Sequence, residues 1–245
     1  MRIFFHCHKA AGTTVTHAAA ASGMRLPDGH RNGNPVDGDG RIIDWAKLPD
    51  DETQALLEEY KRSGIDMISF EFSMPKWSVL EAVEGLEFFT VLREPIARAF
   101  SNYRMDILNN YVKRDRVFGF ASYMSSESLF RSDNYYTRFF SRVSPKAKLT
   151  RDHLAFARRR LEGFSAVAVL ERNNLAQKFR PLGFDPDAFT PKNTMAGKKK
   201  KIERYRENPD QIDIDTFPVD PDFHAENMFD TALYAYFLHM DMVKS

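Results

Sequence analysis

The stretch Arg2-Ile-Phe-Phe-His-Cys-His-Lys-Ala-Ala-Gly-Thr-Thr-Val-Thr-His-Ala-Ala-Ala-Ala-Ser22 changes character twice. It opens on an apolar run, Ile3–Phe5, that reads as a buried strand. A turn holding Lys9, Gly12, Thr13 and Thr14 follows. The alanine-rich segment from Val15 to Ala21 then reads as a helix. Strand, small-residue turn and helix bring backbone N–H groups and the positive end of a helix dipole to one point. Lys9 adds a full positive charge and the two threonines add hydroxyl donors, so the natural ligand is a phosphate or a sulfate. An ordinary strand–helix turn with a solvated lysine carries the same local pattern. The stretch is not the Gly-x-x-x-x-Gly-Lys-Ser/Thr loop of the P-loop proteins, because here the lysine precedes the glycine.

Downstream, helical and strand patterns alternate. Residues 25–50 are rich in Pro, Gly, Asp and Asn and read as a long loop, a kind that is often functional. Asp37, Asp39 and Gly40 within it lack the later ligands of a calcium loop and read as a solvated turn. A helix over 52–63, capped by Asp51, precedes a strand over Ile65–Phe72. A short helix, Trp77–Val83, leads to a third strand, Phe88–Leu92, apolar enough to be buried on both faces. Pro95 opens a helix that runs to about Tyr111, with Ile96, Phe100, Tyr103, Ile107 and Tyr111 at helical spacing. Helices over 133–142 and 150–161, a fourth strand over 165–170, a helix from about Asn174 and a last helix over 223–243 complete the chain. Phe229, Leu233, Tyr236, Phe237 and Met240 form the expected buried stripe of that last helix. The alternation predicts an α/β fold: a P-loop-like single domain over 1–245, with a central parallel sheet of four to five strands covered by helices on both faces. In such sheets ligands bind beyond the carboxyl ends of the strands. Lys9, Glu71 and Arg93 all fall at strand ends.

The 245 residues suffice for a substantial core. A formal net charge of +1 excludes a strong overall field for nucleic acid or membrane, so any basic site is local. The single cysteine, Cys7, forbids an internal disulfide and reads as a buried strand-end thiol. With a strand expected from residue 2 and no apolar run long enough to span a bilayer, the expectation is a cytoplasmic chain with no signal peptide and no membrane insertion.

A second motif, Leu92-Arg93-Glu94-Pro95-Ile96-Ala97-Arg98-Ala99-Phe100-Ser101-Asn102-Tyr103, places Arg93 at a strand end, where a guanidinium can grip a phosphate through two N–H groups. Ser101 follows about two helical turns on. Taken with the first motif, these residues resemble a known family. His6-Cys7-His8-Lys9-Ala10-Ala11-Gly12-Thr13-Thr14 resembles the 5′-phosphosulfate loop of sulfotransferases that use 3′-phosphoadenosine 5′-phosphosulfate (PAPS). It is most similar to the carbohydrate, heparan/chondroitin-type branch, whose loop reads His-x-x-Lys-Thr-Gly-Gly-Thr-Ser/Thr. Leu92–Pro95 through Ser101 and Tyr103 resembles that family's 3′-phosphate motif. Asp133-Asn134-Tyr135-Tyr136-Thr137-Arg138-Phe139 and Ala166 through Glu171 are similar as well. Two departures stand out: Ala10 and Ala11 replace Thr-Gly, and no membrane anchor precedes the motif, which suggests a soluble, bacterial-type member.

The resemblance implies roles. Lys9 would hold the bridging oxygen and stabilise charge on the leaving phosphate. Ala11, Gly12, Thr13 and Thr14 would supply donors to the 5′-phosphate. Arg93 and Ser101 would bind the 3′-phosphate. The product is adenosine 3′,5′-bisphosphate, no metal is required, and the acceptor is a hydroxyl, on a glycan by family likeness. Sulfuryl transfer, like phosphoryl transfer, asks mainly for an in-line nucleophile and stabilised charge on the leaving oxygen. A hydroxyl acceptor also needs a base. Glu71, between Phe70 and Phe72, is the first candidate, because apolar surroundings raise a carboxyl pKa. A structural glutamate paired to a cation is the alternative, and His6 and, more strongly, His8 are rival bases. The basic run over 198–206 reads as a solvated face or as a lid carried by Lys198 and Lys199. Arg138 is a candidate for the acceptor cleft, and Arg158-Arg159-Arg160 reads as solvent-facing. Two other functions fit less of the chain. A kinase would need Ser or Thr after Gly-Lys, which is lacking, and a non-catalytic anion-binding module would share the anion residues.

Overall fold

A computed structural model describes residues 1–112, 123–125, 127–190, 202–203, 207 and 221–243. Four strands, β1 (Arg2–Phe5), β2 (Met67–Phe70), β3 (Glu87–Leu92) and β4 (Ala166–Val169), form one all-parallel sheet in the order β2-β1-β3-β4. Phe5 at the end of β1 pairs with Phe70 of β2 on one side and Thr90 of β3 on the other. Consecutive residues of β1 and β2 are buried, so both faces of the sheet are covered, as the unbroken apolar runs require. Chains leave β1 toward β2 and β3 toward β4, which makes the gap between β1 and β3 the topological switch point of the sheet.

The chain divides into two compact units. The first, Met1–Val91 with Phe164–Lys192, carries the sheet together with α1 (Gly12–Ala21), α2 (Asp50–Arg62), α3 (Trp77–Ala82) and α7 (Leu175–Phe179). Its core is aromatic: Phe5 stacks on Trp77 at 5.1 Å, Phe4 on Phe89 at 5.0 Å, and Trp45 from the long loop meets Phe70 edge-on at 5.1 Å. The loop over 25–50 is thus tied to the sheet. Gly33 adopts a left-handed φ of 83° and lies so close to Ser69 that any Cβ would overlap it, while Ser69 N–H donates to the Gly33 carbonyl at 2.9 Å.

The second unit, Leu92–Gly163 with Asn193–Ser245, carries α4 (Pro95–Leu108), α5 (Tyr135–Ser141), α6 (Arg151–Glu162), α8 (Pro221–Glu226) and α9 (Met228–Val243). Tyr103, Ile107 and Leu108 of α4 pack with Tyr123, Ile202 and Phe223. Two reciprocal caps join α5 to α9. Asp230 accepts from Tyr136 N–H at 2.7 Å and Thr137 N–H at 2.8 Å, and Asn134 Oδ1 accepts from Phe229 N–H at 2.9 Å.

Asp230 is fully enclosed, and burial lifts its pKa from the ordinary 3.8 to about 6, against the two N–H donors and the Arg98 charge. Between these values the folded chain binds more protons than the unfolded one, so this group lowers stability as pH rises from 4 to 6, by about 3 kcal/mol in all. Asp230→Asn is expected to remove that slope, and urea midpoints measured from pH 4 to pH 7 check it.

Several boundaries differ from the sequence reading. α2 begins at Asp50 after Pro49, so Asp51 sits in the first turn and favours the dipole without capping. α4 stops at Leu108, because Asn110 turns left-handed, and Tyr111 is left 71% exposed. The expected last helix is two: Asn227 interrupts it, its Oδ1 accepting from Asn134 N–H at 2.8 Å. In α9 Leu233 and Phe237 are buried as expected, with Tyr234, while Phe229, Tyr236 and Met240 are half-buried.

Candidate functional site

The chain leaves β1 at Phe5 and enters α1 at Gly12. Between them Lys9 (φ 68°) and Ala11 (φ 60°) both adopt the left-handed conformation. For residues with a Cβ this costs roughly 1–2 kcal/mol each, and such strain gathers at ligand-binding turns. The Ala10 N–H to Cys7 carbonyl bond (3.0 Å) and the Val15 N–H to Ala11 carbonyl bond (3.0 Å) fix the turn, with Ala10 fully buried. Left-handed Ala11 stands where the resembled loop carries glycine. The N-cap residue of α1 makes no side-chain cap bond and the first turn holds no acid. By contrast, α4 is capped by its own Glu94, which accepts from Ile96 N–H at 3.1 Å and Ala97 N–H at 2.6 Å. Of these two helices, α1 is the one that brings no carboxylate of its own to its N-terminus. Thr13 and Thr14 stand in that first turn.

His6 lies beneath this helix start. A Cβ on Gly12 would overlap the His6 imidazole, so glycine is required for close approach and not for its backbone freedom. The ring stacks on Phe4 at 5.3 Å. His6 Nδ1 lies 3.0 Å from Glu71 Oε2, and His8 Nδ1 lies 2.6 Å from Glu71 Oε1. Glu71 follows the end of β2, and parallel pairing brings it to the chain leaving β1: His6 N–H donates to the Phe70 carbonyl at 2.9 Å. The β2 ladder stops there because Glu71 N–H turns to Asn34 Oδ1 at 3.0 Å. Asn34 Nδ2 in turn lies 3.4 Å from Glu71 Oε2, and the Asn32 amide lies 3.3 Å from His6 Nδ1.

This geometry corrects the expectation for Glu71. The group is buried, 5% exposed, and burial alone pushes its pKa up. The charge and hydrogen bond of His6 and the hydrogen bond and charge of His8 outweigh that and hold the carboxyl well below its usual range. Glu71 is therefore a firmly ionised carboxylate rather than a base with a raised pKa. His8 shifts the other way: burial lowers its pKa, opposed by Glu71. Among the described residues no group of three His, Cys, Asp or Glu side chains is disposed to hold a metal ion. Cys7 is fully buried, with Sγ 3.5 Å from Thr90 Oγ1.

In the second unit the backbone of Arg93 is clamped by one hydroxyl. Tyr136 Oη accepts from Arg93 N–H at 2.9 Å and donates to the Arg93 carbonyl at 2.7 Å. Tyr136 is held by the Asp230 cap, so a line of contacts runs from α9 through α5 to Arg93. Ser101 sits half-buried two turns along α4. Arg98 of the same helix is buried, its guanidinium 4.2 Å from the Tyr135 ring centroid. The 133–139 motif thus acts as a brace.

Arg138 also belongs to the brace and not to an acceptor cleft. It is 4% exposed and its guanidinium bonds to Asp133 Oδ1 (2.8 Å), the Asp133 carbonyl (2.9 Å) and the carbonyls of Ser144 (2.7 Å) and Ala147 (2.9 Å). Lys198 and Lys199 lie outside the described residues. Asn34, Asn32 and Tyr136 were not singled out from sequence. The Asn-Gly-Asn run of the long loop was the available signal for the first two.

No family model matches the chain, and no curated protein matches it.

Proposed function

We propose that the chain is a sulfotransferase that moves a sulfuryl group from PAPS to a hydroxyl acceptor. The observation that carries this reading is the β1–α1 turn: two strained non-glycine residues, one of them Lys9, lead into a helix whose own first turn holds threonines and no acid. Lys9, Ala11, Gly12, Thr13 and Thr14 take the 5′-phosphosulfate, and Arg93 and Ser101 take the 3′-phosphate. Lysine and the helix dipole neutralise the leaving phosphate without a metal. The carbohydrate class of acceptor rests on the likeness of the His6–Thr14 loop to that of the carbohydrate branch. Among the described residues no helix is long and apolar enough to cross a membrane, and the proposed setting is cytoplasmic.

The test is transfer of label from ³⁵S-PAPS to a panel of polysaccharides, phenols and lipid sugars. The expected result is label in the acceptor matched by release of adenosine 3′,5′-bisphosphate. Label that stays on a bound donor throughout would leave an anion-binding module. Arg93→Ala is expected to weaken donor binding about 10- to 100-fold, the loss of a charge-assisted hydrogen bond or two, with the melting temperature little changed.

A further inference from the structure

Three ionisable side chains meet at the carboxyl ends of β1 and β2, and their placement is unequal. Both oxygens of Glu71 are taken: Oε1 by His8 Nδ1, Oε2 by His6 Nδ1 and Asn34 Nδ2. A carboxylate that already accepts on both oxygens is a poor acceptor for a further proton. His6 is 3% exposed, with its ring pressed against the backbone of Gly12. His8 has the most exposed side chain of the three, 12% against 4% for His6 and 7% for Glu71, and it stands next to Lys9.

We infer that His8, through Nε2, takes the proton of the acceptor hydroxyl, and that Glu71 is a positioning residue that holds the Nδ1–H of His8. An ionised carboxylate 2.6 Å from Nδ1 can only accept, so that nitrogen carries the hydrogen. In the neutral ring the lone pair then lies on Nε2. The logic is that of a carboxylate orienting an imidazole beside a hydroxyl nucleophile. This inference rests on the sulfuryl-transfer reading. In the step, the acceptor oxygen bonds to sulfur as its proton passes to Nε2. The bond from sulfur to the bridging oxygen breaks, and that electron pair stays on the 5′-phosphate beside Lys9. The imidazolium formed keeps its Nδ1–H on Glu71, whose negative charge offsets it.

Burial keeps His8 neutral near pH 7, and the charges of His6 and Lys9 act in the same direction, while Glu71 opposes them. Activity is thus lost as pH falls through the lowered pKa of His8. Removing the Glu71 charge moves that limb to still lower pH.

Nitrogen-15 NMR of the intact, histidine-labelled chain tests the geometry without turnover. At pH 7 to 8, His8 is expected to carry hydrogen on Nδ1 and none on Nε2; the opposite tautomer overturns the inference. With an acceptor in hand, His8→Ala is expected to lower kcat about 10³-fold, to leave calorimetric affinity for adenosine 3′,5′-bisphosphate unchanged, and to recover partly with added imidazole. Glu71→Gln is expected to retain more activity than Glu71→Ala and to shift the acid limb of kcat/KM downward. A Glu71→Gln variant that is inactive beside an active His8→Ala would make Glu71 the base and overturn the assignment. Failure of the wild type to bind the bisphosphate would instead sink the sulfotransferase reading, with the tautomer still measured.

Discussion

Alanine at position 12 is expected to cost about 3 kcal/mol of stability, because the His6 ring must leave its place. Three effects compete. Alanine is better than glycine inside a helix by about 1 kcal/mol, which favours the variant. Against it, the new methyl overlaps the imidazole, and overpacking of this kind costs about 1–3 kcal/mol. The ring cannot swing away cheaply, since it stacks on Phe4 and shares a buried contact with Glu71, and breaking one partner of a buried pair costs about 3–5 kcal/mol. The clash outweighs propensity. Urea unfolding of Gly12→Ala gives the number, and calorimetry on the same sample is expected to show bisphosphate binding gone. An unchanged midpoint with intact binding would show that His6 does not define the helix start.

Lys9→Met is expected to act oppositely, on chemistry and not on stability. Lys9 is half-buried, and methionine keeps an unbranched apolar stem while removing the ammonium. Its positive φ is set by the turn, so the backbone should survive. The missing charge is felt most when the bridging oxygen becomes an anion, in the transition state. Removing one such stabiliser typically costs 10²–10³ in kcat, about 3–4 kcal/mol. The expected profile is kcat down by about 10³, donor KM changed far less, and a melting temperature within a degree or two of wild type. A large rise in KM with kcat preserved would make Lys9 a ground-state anchor.

Much of the first unit was legible because strong local signals agreed there. The apolar runs over 3–5 and 88–92 needed burial on both faces, and the glycine and alanines between Lys9 and Ala21 allowed little besides a tight turn and a helix. The chemistry of Glu71 was not legible in its neighbours. Phe70 and Phe72 suggested an apolar pocket and a raised pKa, whereas the decisive groups lie 63 to 65 positions away in sequence. Parallel pairing of Phe5 with Phe70 carries them together. Arg138 misled for the same reason: a lone arginine on a helix does not reveal that the carbonyls of Ser144 and Ala147 will fold back onto it. Asn227 broke the last helix because its side chain serves Asn134, a partner 93 positions away. Local pattern gave the elements, and long-range hydrogen bonds decided their ends and the protonation of the site.

The most direct measurement of the proposed activity is a calorimetric titration of the intact chain with adenosine 3′,5′-bisphosphate in the absence of metal, beside ATP and 5′-AMP with magnesium. Saturable binding of the bisphosphate, clearly preferred over both other nucleotides, is the expected result. Binding of ATP only with magnesium, and none of the bisphosphate, would contradict sulfuryl transfer and place the chain among phosphoryl-transfer enzymes.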